Sequence, residues 1–414
     1  MSEGQAALFW GIISFSILIL IHEAGHFAVA RLFGLKVHEF MIGLPGPAIR
    51  IRGKKTTYGI TAVPLGGYVR IAGMEPGPED PRLGPVLSLL TERGPSDAQA
   101  VAGALGYTVD AAEVLLLTLA DWDAVEPAGE DGLYRSRFSA DETPDSVALL
   151  DRARRVTYRV LPTYKRVLLL SAGVIMNLVV AVAIFFVFVS AYGIHTTRIS
   201  EISPASAAEK AGLRTGDVIT HVAEKRTRSW QAVMDRIGEF DQGATVTVRA
   251  QRGEQVVEVR ATLGKHPQTG KGMLGVSPSI EKPGPLPALA ESVSYIGLTF
   301  VAVLKFFDPS TFRQAVSQSS SVIGASYMAA DAARESAASW AALMALLSLS
   351  LGVLNIFPIP PLDGGKIALE VVEKLRGRPL SRRFSLSFSA VGAALLLSLI
   401  GYLMYNDVVR FIVG

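Results

Sequence analysis

The chain has 414 residues, of which 50% are hydrophobic and 19% are charged, and this charged share is below the roughly 25% of ordinary soluble proteins. It contains no cysteine, which excludes a disulfide scaffold, thiolate metal ligands and a cysteine nucleophile. The net charge of +3 is too small to indicate a nucleic-acid partner, and we expect none.

Four long apolar runs predict a multi-pass α-helical membrane protein. A bilayer core of about 30 Å takes about 20 helical residues, and the sequence predicts four transmembrane helices, at residues 4–30, 167–194, 336–362 and 384–408. The first run has no basic region before it and ends in His-Glu, so we interpret it as a retained span rather than a cleaved signal peptide. A fifth run, Ser292 to Leu304, has 13 residues and is expected to be interfacial or buried rather than spanning.

The distribution of Lys and Arg predicts one orientation in the membrane. Basic residues concentrate after the first run, before the second, and between the third and the fourth. Because cytoplasmic loops carry an excess of Lys and Arg, we expect residues 31–166 and 363–383 in the cytoplasm. Both termini and residues 195–335 are then outside it, with 281–335 forming an extracytoplasmic linker with amphipathic helices.

Residues 37–73, directly after the first span, predict a β-hairpin region. Polar and apolar residues alternate there, and Pro64 with Gly66-Gly67 indicates a turn. Such a hairpin can enter the bilayer only if protein covers its edges.

Residues 78–160 predict a small cytoplasmic helical insert. Between 78 and 146 there are fourteen acidic residues against four Arg and no Lys, a local balance of −10. Three helical segments with Ser, Thr or Asp starts and a short strand suggest a winged-helix-like domain. Its acidity argues against nucleic acid, which leaves two interpretations: a regulatory insert with an unknown partner, or a solvated insert without one.

Residues 196–280 predict a compact α/β module. The string SPASAAEKAGLRTGDVI resembles the PDZ domains of bacterial proteases. The resemblance implies that the module captures an extended peptide or protein tail as an added strand. The alternative is a β-rich spacer that binds nothing.

His22-Glu23-Ala24-Gly25-His26, within the first span, carries the chemistry. Residues i and i+4 of a helix share one face, so the two histidines can bind one metal ion while Glu23 reaches a metal-bound water. This is the HExxH zinc pattern, and a pair of core histidines is the alternative. Ionisable groups in an apolar span are costly, roughly +2.5 kcal/mol or more for an acid at the helix centre, which favours a dication as their partner.

Two histidines leave a catalytic zinc site one protein ligand short. Asp363 follows the third span in a proline-rich segment, where the chain leaves the helix and Gly364-Gly365 permits a close approach. The residues leave two interpretations open: Asp363 is the third ligand, or it caps the helix that begins at Gly364.

The combination of these features resembles the site-2 protease family of intramembrane zinc metalloproteases. The residues that carry the resemblance occur in the family's order: His22 to His26, Pro64 to Val69, the PDZ-like module, and Asn355 to Gly365. The bacterial branch that cleaves membrane-bound anti-sigma factors is the most similar. The resemblance implies a bacterial cytoplasmic (inner) membrane enzyme that cleaves single-span membrane proteins, such as anti-sigma factors or signal-peptide remnants.

The resemblance also implies roles for individual residues. His22, His26 and Asp363 would bind Zn²⁺, with Glu23 as the general base. Support of the substrate or the transition state would come from Asn355 and Asn177, although Val174 replaces the proline common in the family near Asn177. Residues 37–73 would be the family's membrane re-entrant β-hairpin, which would pair with the unwound substrate, and the candidate pairing residues are Tyr58, Gly66, Gly67 and Tyr68.

Two other classes of protein can carry similar features. A metal transporter places His and Asp at the membrane midplane, but we find no internal repeat, and transport does not need the base Glu23. A catalytically silent membrane scaffold with a PDZ module is free to lose Glu23 or Asp363, and both are present.

Overall fold

The computed structural model describes residues 1–63, 66–75, 77–129, 132–139, 145–266, 270–317 and 319–409. The predicted turn residue Pro64 lies outside them. The chain divides into two compact units, one comprising 1–184 and 295–414 and the other 185–294.

The larger unit begins with the predicted first membrane helix and hairpin region. Helix α1 (Glu3–Leu32) has Ser2 as its N-cap, in a capping box with Gln5. A four-stranded sheet follows in the order β2-β3-β1-β4, with parallel pairing only between β1 and β3. Its strands are β1 (Val37–Ile42), β2 (Ala48–Arg52), β3 (Thr57–Thr61) and β4 (Gly67–Ile71).

The insert folds around its own hydrophobic core, which Leu87, Leu116 and Trp122 help to form. Two of the three predicted polar starts are present, since Asp97 and Thr108 cap the second and third helices, whereas the first helix has Arg82 as its N-cap and no side-chain cap. Its elements are α2 (Leu83–Arg93), α3 (Ala98–Leu105), α4 (Val109–Asp121), a hairpin of β5 (Val125–Pro127) and β6 (Tyr134–Ser136), and α5 (Ser146–Arg154).

Helix α6 (Thr163–Tyr192) leads into the smaller unit. A sheet in the order β11-β10-β8-β7-β14, with β9 beside β8, encloses an apolar core with two short helices. The elements are β7 (Ile194–Ile202), α7 (Ala207–Lys210), β8 (Val218–Val222), β9 (Lys225–Arg226), α8 (Trp230–Gly238), β10 (Thr245–Arg252), β11 (Gln255–Thr262), β12 (Gly264–Lys265), β13 (Gly272–Met273) and β14 (Val276–Glu281).

The chain returns to the larger unit through α9 (Pro285–Leu304) and ends in five further helices. These are α10 (Phe312–Ser317), α11 (Val322–Glu335), α12 (Ala337–Ile356), α13 (Asp363–Arg376) and α14 (Arg382–Val408).

Within the described residues, five helices are long and apolar enough to cross a membrane by length and composition: α1, α6, α9, α12 and α14. The prediction had four, and α9 is the addition. Its charge-free run is short, but the helix starts at Pro285 and continues through Glu291, which makes it 20 residues long. The chain is therefore mostly helical with several membrane-type helices, and their composition does not fix the number of spans.

Candidate metal centre

Helices α1 and α6 approach each other through glycines on both sides. A Cβ atom on Gly25 of α1 would lie 2.4 Å from the carbonyl oxygen of Ala172, so only glycine fits there. On α6, Gly173 lies directly under the two imidazoles, and a Cβ atom there would be 2.4 Å from His26 Nε2. Small residues let membrane helices pack at short range, and here they bring the polar face of α1 against α6.

The structure brings His22, His26 and Asp363 together. His22 Nε2 lies 3.0 Å from Asp363 Oδ2, His26 Nε2 lies 3.1 Å from the same oxygen, and the two Nε2 atoms are 3.3 Å apart. A tetrahedral zinc ion with bonds of about 2.0–2.1 Å has donor-to-donor edges of about 3.3 Å. Two imidazole nitrogens and a carboxylate oxygen on such a triangle match both the chemistry and the size of a zinc site.

Asp363 reaches this position because the chain folds back sharply after α12. A Cβ atom on Gly364 would lie 2.2 Å from the carbonyl oxygen of Phe357, and one on Gly365 would lie 2.8 Å from the nitrogen of Pro360. Asp363 is the first residue of α13, and the N-cap is Leu362, which makes no side-chain cap. The carboxylate, in a residue only 5% exposed, therefore faces the histidines and does not cap a helix beginning at Gly364.

A second layer of contacts holds two of these three groups. His26 Nδ1 donates to the carbonyl oxygen of Leu169 over 2.9 Å, and Asp363 Oδ1 accepts from Lys366 Nζ over 3.2 Å. Such outer contacts fix the orientation of metal-binding side chains. Sequence reasoning missed Lys366 and Gly173. Lys366 could have been found by its i+3 spacing from Asp363, whereas nothing local marks Gly173.

Asn177 lies behind His22, away from the three converging donors. Its amide nitrogen is 3.2 Å from His22 Nδ1, and the residue is fully buried. Its amide oxygen has no hydrogen-bond partner among the described residues. This is the position of a group that orients His22, and the predicted role in substrate or transition-state support stays a prediction.

The amide of Asn355 points along its own helix. Its nitrogen donates to the carbonyl oxygen of Leu351 over 2.9 Å, and the residue is 7% exposed. The structure thus shows no contact between Asn355 and the three converging donors, and its role stays a prediction.

The sheet brings β4 beside Glu23. A Cβ atom on Gly67 would lie 3.1 Å from Glu23 Cγ, and β4 pairs with β1 alone among the described strands. Tyr58 lies on β3, which has β1 on one side and β2 on the other. The prediction that Tyr58 pairs with substrate is therefore wrong, because an interior strand has no open edge. For Gly66, Gly67 and Tyr68 the prediction stands untested.

Comparison with known proteins gives a consistent family. The model of Peptidase family M50 matches residues 10–399. The zinc metalloprotease RasP of Shouchella clausii is 29% identical over 411 residues, covering 95% of this chain and 96% of the relative. The regulator of sigma-W protease RasP of Bacillus subtilis is 26% identical over 415 residues, covering 96% of this chain and 97% of the relative.

Two solved PDZ domains also match part of the chain. They come from SdrC-like proteins of Listeria monocytogenes and Listeria innocua, cover 20% and 21% of this chain, and have 20% and 23% sequence identity and a TM-score of 0.19. The matched residues make up 87% and 96% of those two domains. The family assignment rests on the sequence comparisons, because the family model and the relatives each match nearly the whole chain. The predicted resemblance is thereby confirmed: the chain belongs to Peptidase family M50, the site-2 protease family, and is a zinc metalloprotease.

Proposed function

We propose that His22, His26 and Asp363 bind the catalytic zinc ion and that Glu23 is the general base. The observation that supports this most strongly is the triangle of three donor atoms, which are 3.0 to 3.3 Å apart. Two of the residues that contribute them, His22 and Asp363, are 341 positions apart in the chain. Three protein ligands leave the fourth tetrahedral position for water, as in catalytic rather than structural zinc sites.

The chain's own residues then divide the work of peptide hydrolysis. Bound zinc supplies a Lewis acid and lowers the pKa of its water to about 7. Glu23, one residue from His22, accepts a proton from the attacking water and delivers it to the leaving amine. Asn177 holds the His22 ring: with its amide turned by 180°, the oxygen accepts the Nδ1–H, which leaves Nε2 free to face the ion.

We propose that the substrate binds as a strand along the open edge of β4. A transmembrane helix hides its amides in hydrogen bonds, so it has to unwind before cleavage, and pairing with an edge strand replaces the bonds that are lost. Gly67 lies against Glu23, so a chain paired with β4 passes directly beside the general base. Substrates with small or helix-breaking residues near the cleaved bond should be preferred.

We further propose four membrane spans: α1, α6, α12 and α14. Helix α11 lies beside the N-terminal half of α1, where a Cβ atom on Gly4 would be 3.8 Å from the hydroxyl oxygen of Tyr327 and one on Gly11 would clash with Ser326. Helices α11 and α12 are joined directly at Ser336, so α12 starts on the side of the N-terminus. The chain crosses the membrane in α1 and again in α6, so the end of α6 is on that same side. Helix α9 comes after the end of α6 and before the start of α12. Because both of these points are on one side, α9 does not cross.

This topology supports the orientation that the basic residues predict. Residues 31–166 and 363–383 are then cytoplasmic, and the termini and the smaller unit are extracytoplasmic in a bacterial inner membrane. In the smaller unit β14 is an edge strand, which suits capture of an extended peptide or protein tail in the manner of a PDZ domain.

The proposed reaction is cleavage of single-span membrane proteins within or near the membrane, as in regulated intramembrane proteolysis. The test is a cleavage assay with a labelled single-span substrate in nanodiscs, combined with zinc analysis. Glu23→Gln should retain zinc and lose cleavage, whereas Asp363→Asn should lose zinc. Turnover by Glu23→Gln would remove the general-base role, and full zinc in Asp363→Asn would remove the third ligand.

A further inference from the structure

The outer half of the four-stranded sheet carries an exposed apolar face. Ile49 and Ile51 on β2 are 82% and 71% exposed, and Ile60 on β3 is 53% exposed. Ile49 is paired with Ile60 and Ile51 with Tyr58, and directly paired residues in an antiparallel sheet share a face. These four side chains therefore form one apolar surface on an edge strand, which in water would favour aggregation.

The opposite face and the hairpin turn are basic. Arg50 and Arg52 alternate with the isoleucines, and Lys54 and Lys55 follow in the turn. All four are exposed, and none forms an ion pair with a residue that the structure describes. Residues 37–71 contain five Lys and Arg against one acid, Glu39, and Glu39 accepts a hydrogen bond from the Tyr68 hydroxyl over 3.0 Å. Five cations against one carboxylate leave residues 37–71 with a net charge of +4.

The sheet also has a deep end and a shallow end relative to α1. At one end Gly67 lies against Ile19 and Glu23, in the middle of the membrane helix. The turn with Lys54 and Lys55 is at the other end, about 17 Å along the strand from Ile60 at roughly 3.3 Å per residue. From Glu23 to Leu32 the helix rises about 14 Å at 1.5 Å per residue, so the basic turn is level with the C-terminal end of α1, which is at the cytoplasmic surface in the proposed orientation.

On the apolar face, the inner half of the sheet is covered and the outer half is not. Phe40 of β1 packs against Phe27 of α1 with ring centroids 5.3 Å apart, and Phe27 lies 6.0 Å from Tyr58. Beyond Tyr58 the same face continues as the exposed isoleucines. A surface that starts against a membrane helix and extends past it at the same depth is in contact with lipid.

The family resemblance already implies that this hairpin region enters the membrane. We propose that the β2–β3 hairpin is in addition an anionic-lipid clamp: Ile49, Ile51 and Ile60 contact the acyl chains, and Arg50, Arg52, Lys54 and Lys55 bind the phosphates of anionic headgroups. The inference rests on the proposed membrane orientation of α1 and extends it to a lipid class. The lipid then fixes β2 and β3 from outside, and through β1 it holds the β4 edge beside Glu23. Cleavage should therefore depend on anionic lipid.

The absence of cysteine in the natural chain permits a direct test of depth. Single variants Ile51→Cys and Arg50→Cys, each in the Glu23→Gln background, carry a spin label into nanodiscs, and collision with oxygen and with a water-soluble nickel chelate is measured. We expect the label at 51 to be exposed to oxygen and protected from nickel, and the label at 50 to show the reverse. Equal nickel exposure at both positions, or protection of position 51 from both reagents, would overturn the insertion.

The headgroup contact is tested by lipid composition. Nanodiscs of phosphatidylcholine alone are compared with nanodiscs containing phosphatidylglycerol, for cleavage rate and for lipid retained in native mass spectrometry. One basic residue near an anionic surface is worth about a fivefold change in binding. Arg50→Gln/Arg52→Gln/Lys54→Gln/Lys55→Gln should therefore lose the retained phosphatidylglycerol and bring the ratio of the two rates close to one.

A charge-matched control removes four exposed cations of the smaller unit: Lys210→Gln/Lys225→Gln/Arg226→Gln/Arg228→Gln. It should keep both the retained lipid and the rate ratio of the wild type. Equal phosphatidylglycerol retention in the hairpin variant and the control would refute the clamp. Loss of cleavage in every lipid would count against the proposed function alone, because spin-label depth and lipid retention are measured without turnover.

Discussion

Gly173 should be indispensable for metal binding although it contributes no ligand. A Cβ atom at this position would lie 2.4 Å from His26 Nε2 and 2.7 Å from His22 Nε2, whereas ordinary contacts begin at 3.4 Å. Gly173→Ala therefore forces the His26 donor atom to retreat by about 1 Å. Neither ring can yield freely, because each is held from behind, His26 by the carbonyl oxygen of Leu169 and His22 by Asn177.

The size of the effect follows from the tolerance of metal sites. Ligand distances in a working site lie within about 0.2 Å of their ideal values, so a displacement of about 1 Å exceeds the tolerance several-fold. Changes in the groups that orient metal ligands typically cost about 10- to 100-fold in metal affinity, and we expect Gly173→Ala to be at the upper end. Helix propensity alone would make the α6 helix of Gly173→Ala more stable, because alanine is favoured over glycine by about 1 kcal/mol in a helix.

The assay is zinc affinity by competition with a chelator on purified protein, together with the thermal unfolding midpoint. Gly401→Ala is the matched control, because Gly401 is also in a membrane-type helix and a Cβ atom there meets nothing within 4 Å. Gly173→Ala should lose zinc affinity while the control retains it. Wild-type zinc affinity in Gly173→Ala would refute the tight approach of α6 to the two histidines.

Three further predictions concern the surroundings of the site and the smaller unit. Asn177→Ala should lower zinc affinity by about 10- to 100-fold, measured by the same competition, and wild-type affinity would remove Asn177 as a positioning residue. Asp121→Ala removes the 2.8 Å hydrogen bond from Gly73 N and should destabilise the junction of insert and sheet by about 1–3 kcal/mol, seen as faster hydrogen exchange in β4; unchanged exchange would contradict this. Hydrogen bonds from Arg252 hold the pKa of the Asp217 carboxyl below its usual value, so the ion pair stabilises the smaller unit above about pH 4 and is lost as the pH falls. The stability difference between wild type and Asp217→Asn should therefore shrink in acid, and a difference independent of pH would exclude the linkage.

The part of the site that lies on one helix was predictable from the sequence. The i, i+4 spacing puts His22 and His26 on one face whatever the rest of the chain does. Asp363 was only a candidate, because the sequence does not show whether its carboxylate faces the two histidines or caps the helix that follows. Gly173 was not predictable at all, since its role comes from the approach of α6 to α1, and nothing in the local sequence of either helix encodes that distance.

The errors in the predicted fold have the same physical origin. Alternation indicated strands in 37–73 but not their order, and a strand reads the same whether it is at an edge or between two neighbours. Tyr58 was therefore placed on an open edge although β3 is interior. For α9, the charge-free run gave the wrong length because Glu291 does not end a helix.

The four-stranded sheet connects distant parts of the chain to β4, the strand that is proposed to hold the substrate. β4 lies beside Glu23, and its end is tied to the insert, where Asp121 accepts from Gly73 N and lies 3.8 Å from Arg70 Nε. A second tie joins Lys36, just before β1, to Asp123 over 3.0 Å. These contacts join the insert to the strand that is proposed to hold the substrate, and the proposed lipid contact on β2 lies at the opposite edge of the same sheet. The two edges are connected without a break, because β2, β3, β1 and β4 are hydrogen-bonded in that order.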